Sequence, residues 1–286
     1  MTRDPWANLK RFTDARIGLG RSGSAMPTRE VLNFALSHAM ARDAVTTPID
    51  WAPIEQGLQD LGLKAHRVSS ATRDRSEYLR RPDLGRKLSD TSRAELLRVM
   101  KGGAARPDLV VLVGDGLSSM GVAVNILPMM SALLPHARQA GWKIGPVLLA
   151  NDARVALGDE AGEILGAKAI LVLIGERPGL SSPDSLGAYL TFAPRVGLKD
   201  ADRNCISNIR LRGLSYDESA FKAAWLLREA FRRGVTGVNL KDESQFLIEG
   251  RTAPELKTKA VAASPRSSSK KGIRKGRKAT IKNGLF

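Results

Sequence analysis

From residue 107 onward the apolar residues gather in short unbroken runs, separated by longer stretches in which they recur every three or four positions. The runs at 109–113, 147–150 and 169–174 are the length of strands and carry no polar face, which predicts strands buried on both sides. Residues 187–192 are read as a fourth strand. Between them, helical spacing predicts a helix from about 119 to 134, another at 159–165, and a third at 217–233 with Ala220, Phe221, Ala224, Leu227 and Phe231 on one face. Strands alternating with helices at these lengths imply crossovers, and hence an α/β fold with a doubly wound, mostly parallel sheet.

The first hundred residues have a different pattern. A short amphipathic stretch at 4–12 and a glycine-rich turn at 18–23 lead to a predicted helix over Val31, Leu32, Ala35, Leu36 and Ala39, ending near Asp43. Two more helices are predicted, at 51–61 with Gly62 as terminator and from Asp90 to Gly102 and Gly103. The expected organisation is therefore a helical N-terminal region at 1–104, an α/β domain at 105–250, and a separate tail at 251–286. In a doubly wound sheet, ligands bind where the chain leaves the carboxyl ends of the strands. Those places are 114–119, 151–155, 175–182 and the segment around 204–208.

Composition narrows the picture. A chain of 286 residues with 43% hydrophobic and 26% charged residues can bury a sizeable core and is not disordered throughout. Its unbroken apolar runs are about a third of the roughly 20 residues that a membrane span needs, and residues 1–19 are too charged for a signal peptide, so a cytoplasmic location away from membranes is expected. One cysteine and three widely separated histidines argue against a disulfide framework or a zinc enzyme. The net charge of +16 suggests nucleic acid until it is located. Residues 257–286 hold ten of the 45 Lys and Arg and none of the 29 acids, which leaves 35 bases against 29 acids in the rest. The tail is read as a solvated arm with nonspecific affinity for polyanions.

Three segments are candidates for chemistry. Gly18, Gly20 and Gly23 match the spacing of a dinucleotide fingerprint, but the preceding Thr-Asp-Ala-Arg-Ile is too polar for a central strand and the helix begins only after Pro27. A stand-alone nucleotide-cofactor enzyme therefore lacks its signature. Gly114, Asp115 and Gly116 lie at a strand-to-helix turn, where free amides favour a polar group and tight packing also demands glycine. The run 173–184, Leu-Ile-Gly-Glu-Arg-Pro-Gly-Leu-Ser-Ser-Pro-Asp, brings charges, hydroxyls and two prolines to a strand mouth and reads as a ligand wall. Cys205 has no histidine nearby in the sequence to activate it, so it is read as a packing residue. A basic nucleic-acid-binding module is the competing interpretation, and only 5% Phe, Trp and Tyr leaves it short of stacking platforms.

The segments 173–187, 203–210 (Arg-Asn-Cys-Ile-Ser-Asn-Ile-Arg), 80–85 (Arg-Arg-Pro-Asp-Leu-Gly) and 15–28, with its Gly-Arg-Ser-Gly centre, together resemble the small (light) subunit of ethanolamine ammonia-lyase. The resemblance runs from about residue 4 to about residue 241. It implies an adenosylcobalamin-dependent ammonia-lyase producing acetaldehyde and ammonia, in a hetero-oligomer whose barrel-shaped large subunit holds the substrate. This chain would supply part of the cobalamin cradle from the 105–250 domain. Carried over motif by motif, the cofactor contacts fall on Val155, Glu176 and Cys205, with no catalytic acid or base and no metal ligand from this chain. The absence of D-x-H-x-x-G implies that the cofactor keeps its own benzimidazole on cobalt. Family members often carry a longer leader before the position of Asp4, linked to assembly or to packing in a bacterial microcompartment. The basic arm after Lys257 has no counterpart in the pattern.

Overall fold

The three unbroken apolar runs become the middle of a single sheet. The computed structural model describes residues 5–101 and 105–245; the basic tail at 251–286 lies outside the described residues. The strands are β1 (Ala65–Ser69), β2 (Leu109–Gly114), β3 (Ile144–Asn151), β4 (Ala169–Gly175), β5 (Leu186–Phe192) and β6 (Asn204–Ile209), in the order β1-β3-β2-β4-β5-β6. Every residue of β2 and β4 is buried, which is why their sequences carry no polar alternation. The pairings β1–β3, β3–β2 and β2–β4 are parallel, while β4–β5 and β5–β6 are antiparallel.

The helices are α1 (Thr28–Thr46), α2 (Ala52–Asp60), α3 (Arg75–Arg80), α4 (Asp90–Lys101), α5 (Ser119–Gln139), α6 (Leu157–Ile164) and α7 (Tyr216–Arg233). Alternate side chains of the strands feed two cores. Val111, Val113, Leu149, Leu171 and Leu173 pack with α2, α5 and α7 on one face. Val110, Leu112, Leu148, Ile170 and Val172 pack with α4 and α6 on the other. Local chemistry sets the helix ends. Ser118 Oγ accepts from the Gly121 amide at 2.9 Å to open α5, Ser215 does the same for α7, and Gly234 closes α7 at φ 71°.

The structure differs from the sequence-based expectation at four points. The helical N-terminal region also contributes a strand, β1, which pairs with β3 and hides only Val68; a short edge strand of Ala-His-Arg-Val-Ser has no apolar run to reveal it. Residues 204–208 are part of β6 and not a loop at a strand end. Helix α5 is long and apolar enough to span a membrane by length and composition, which counting unbroken runs misses because Ser, Asn and Pro interrupt it. In the fold its buried side, including Val122, Ile126, Met129 and Leu133, lies in the core. Finally, α1 forms as predicted but buries only Ala44, and Val31, Leu32, Phe34 and Leu36 of its apolar positions are 47–63% exposed.

Candidate functional site

The carboxyl ends of β2, β3 and β4 open into a cleft of about 420 Å³. Gly116 and Leu117 follow β2, Arg154 and Val155 follow β3, and Ile174 to Arg177 close β4; Tyr78 from α3 and Tyr189 from β5 complete the wall. Two backbone turns meet at its base. Leu117 donates its amide to the Gly175 carbonyl at 2.9 Å, and a Cβ at Gly116 would run into that same carbonyl, while one at Gly175 would strike the Ser118 carbonyl. Gly116 also sits at φ +56°. These glycines thus serve close packing, and the Leu117 amide is occupied within the chain.

The loop from 176 to 185 is held down by hydrogen bonds of high sequence separation. Ser118 Oγ donates to the Pro183 carbonyl at 2.7 Å, and the buried Asn125 Nδ2 donates to the Asp184 carbonyl at 2.6 Å. Asn125 is oriented in turn by the Tyr216 hydroxyl, which donates to its Oδ1 at 2.8 Å. On this anchored loop Glu176 is half-buried. Its main-chain amide donates to the Ser185 carbonyl, and its Oε2 accepts from the Asn208 amide at 3.1 Å. Gly187 leaves the space for that carboxylate, since a Cβ there would lie 3.0 Å from Oε1. Oε1 itself makes no hydrogen bond among the described residues and remains an acceptor beside the cleft.

Of the three residues named from sequence, Val155 and Glu176 line the cleft together. Cys205 does not line it. It is exposed on β6, with Sγ 3.2 Å from Ser207 Oγ, and stands opposite Tyr189 in the β5–β6 register. Tyr189 is the link, because burial first and Cys205 second hold its hydroxyl well above the ordinary tyrosine range and therefore protonated.

Sequence reasoning missed a polar cluster behind the wall. Arg75 Nη1 pairs with Asp115 Oδ2 at 3.1 Å and Asp152 Oδ1 at 3.0 Å, and its Nε donates to the Val45 carbonyl. Asp115 Oδ1 accepts from the Ala153 amide at 3.1 Å. Burial pushes the Asp115 carboxyl up to about 6, against the opposing pull of Arg75. The guanidiniums of Arg75 and Arg154 both lie over the Tyr78 ring, at 4.6 and 4.3 Å from its centroid, and the Tyr78 hydroxyl donates to the Ala153 carbonyl. This cluster ties α3, the turn after β2 and the turn after β3 into one support. The only local signal was Asp74, whose side chain caps α3.

None of the cleft-lining residues is His, Ser, Cys or Lys, and Glu176, Tyr78 and Tyr189 are the side chains there that could exchange a proton. It offers one carboxylate acceptor, the guanidiniums of Arg154 and Arg177, two aromatic walls and an apolar lip, an arrangement suited to holding a large polar ligand.

Comparison with known proteins agrees with the resemblance read from the sequence, over nearly the same span. The family model described as "Ethanolamine ammonia-lyase light chain (EutC)" matches residues 3–241. Relatives named "Ethanolamine ammonia-lyase small subunit" include one from Rhodopseudomonas palustris (strain BisA53), 53% identical over 246 residues, 86% of this chain and 92% of its own. One from Xanthomonas campestris pv. campestris (strain ATCC 33913) is 55% identical over 251 residues, covering 87% and 91% of the two chains. Another, from Pseudomonas fluorescens (strain Pf0-1), is 49% identical over 257 residues, covering 90% and 94%. With the match spanning the sheet, the cleft and the anchored loop, this chain belongs to the ethanolamine ammonia-lyase small-subunit (light-chain) family.

Proposed function

We propose that this chain is the small subunit of an adenosylcobalamin-dependent ethanolamine ammonia-lyase, and that the β2–β3–β4 cleft forms part of the cofactor's cradle while a large subunit holds the substrate. The observation that carries this reading is the convergence of Val155 and Glu176 on one cleft whose groups suit the holding of a large polar ligand. The residues fit the group. The free Oε1 of Glu176 suits the amide and hydroxyl donors around a corrinoid, and Arg154 Nε is a buried donor without a partner. A cleft of about 420 Å³ is far smaller than the whole cofactor, so it covers only part of it.

When bound, the cofactor supplies a cobalt–carbon bond whose homolysis begins radical chemistry. This chain's residues bind and orient. Glu176 accepts hydrogen bonds from the cofactor's periphery, Val155 gives an apolar and backbone contact, and Cys205 packs beside Tyr189 at the edge. Binding energy collected this far from the reacting centre can still position it, which is how a subunit without the substrate influences turnover. The uncovered apolar face of α1 supports the second chain. Glu30, Asn33, Ser37 and Met40 of α1 also share a groove with Leu180, Ser181 and Pro183 of the anchored loop.

The test is reconstitution. The chain alone should release no ammonia from ethanolamine, and the complex with its large subunit and adenosylcobalamin should do so. In that complex Glu176→Ala should weaken cobalamin binding by about 1 to 3 kcal/mol, because a charged acceptor is lost while its donors stay buried. Turnover by the isolated chain, or unchanged cofactor affinity in the variant, would overturn the assignment it addresses.

A further inference from the structure

Arg154 has the surroundings of a ligand-binding residue as well as a place in the support around Tyr78. Its main-chain amide donates to the Gly85 carbonyl at 2.8 Å, and its guanidinium rests over the Tyr78 ring. Gly85 makes that arrangement possible, because a Cβ there would lie 2.9 Å from Arg154 Cγ and 3.0 Å from the Tyr78 ring. The side chain is thus set in a slot, and it lines the cleft. Yet the nearby carboxylates, Asp115 and Asp152, are engaged by Arg75, and Arg154 forms no ion pair among the described residues. Its Nε is sealed from solvent with no acceptor. A fixed cation that forms no ion pair among the described residues, at the wall of a cleft, is a site for an anion.

We infer that Arg154 binds the phosphodiester of the corrinoid's nucleotide loop. This rests on the cofactor reading above and extends it from Glu176, which suits neutral donors, to the one anionic group the cofactor carries. Phosphate offers the planar guanidinium two oxygens at once, a geometry that an amide carbonyl cannot match. The Arg-Arg-Pro-Asp-Leu-Gly segment at 80–85 then acquires a role, since Gly85 at its end positions Arg154.

The experiment compares two corrinoids on the complex of this chain with its large subunit. Cobalamin carries the nucleotide loop, and cobinamide lacks it together with the phosphodiester. Binding is read from visible absorbance after equilibrium dialysis, without turnover. Arg154→Met should weaken cobalamin by about tenfold or more, the ordinary worth of a charge-assisted hydrogen bond, and leave cobinamide unchanged. Gly85→Ala keeps the charge and disturbs only the slot, so it should reproduce the same selectivity in milder form and serves if Arg154→Met fails to fold. Inorganic phosphate should compete with cobalamin and not with cobinamide.

Equal weakening of both corrinoids, or of neither, overturns the inference. Phosphate that raises the melting temperature through Arg154 while cobalamin affinity ignores the substitution would assign the site to a free anion and overturn it too. Failure of the unmodified complex to bind either corrinoid would sink the cofactor reading itself, and this assignment with it.

Discussion

Asp115 is the carboxylate whose proton the fold controls most directly. In an unfolded chain an aspartate titrates at about 3.9, and burial here pushes it up to about 6. Between those values the native state binds the proton more tightly, so this group adds stability as pH falls from about 6 toward 4 and loses it as pH rises through 6. Surface carboxylates hydrogen-bonded to arginine, such as Glu77 with Arg73 and Asp83 with Arg81, are held below their ordinary range and act in the opposite direction. The comparison must therefore be with Asp115→Asn, which keeps the acceptor for Ala153 and cannot titrate. Denaturant melts from pH 7 to 4.5 should show wild type gaining on the variant, on the order of 2 kcal/mol. A flat difference would mean that Arg75 keeps Asp115 charged throughout. The sequence exposed Asp115 as part of a glycine turn but not its direction, inward onto Arg75. Glu176 and Val155 could be named from family motifs, and both line the cleft. Arg75, Tyr78 and Arg154 were not legible, because the hydrogen-bond partners of the Arg75 and Tyr78 side chains lie 30 to 77 residues away and leave no local spacing.

Among the elements, the central strands were legible and the antiparallel edge was not, though the reason for it lies in the chain. Ten residues separate β4 from β5 and eleven separate β5 from β6, too few for the helical crossover that a parallel neighbour requires. Two reversals return β6 to the direction of β4, which is why Asn208 near its end can reach Glu176. Helix α1 tests the element scale directly. Its apolar positions are legible, but nothing among the described residues covers them. Leu32→Glu combined with Leu36→Glu should leave the melting temperature of the isolated chain within a few degrees, since both side chains are already more than 60% exposed. The same pair should abolish co-elution with the large subunit. Retained co-elution would place the contact elsewhere.

At the scale of the whole molecule, both cores are built from residues between Trp51 and Leu240, on the two faces of one sheet. That sheet imposes an order on biosynthesis. Ala65 of β1 pairs with Val147 of β3, 82 positions later, so β1 lacks its partner strand until β3 is made. At roughly 5 to 20 residues per second a ribosome needs about 4 to 16 s to supply the missing strand. During that interval the first third of the protein has emerged with its strand unpaired. A nascent chain arrested with residue 140 just outside the ribosome should be cut by protease within 65–69, and one arrested with residue 175 outside should resist. Equal cleavage in both would show that β1 joins only after release. The strand that looks most marginal in the finished fold thus sets the earliest moment at which the emerging chain can protect itself.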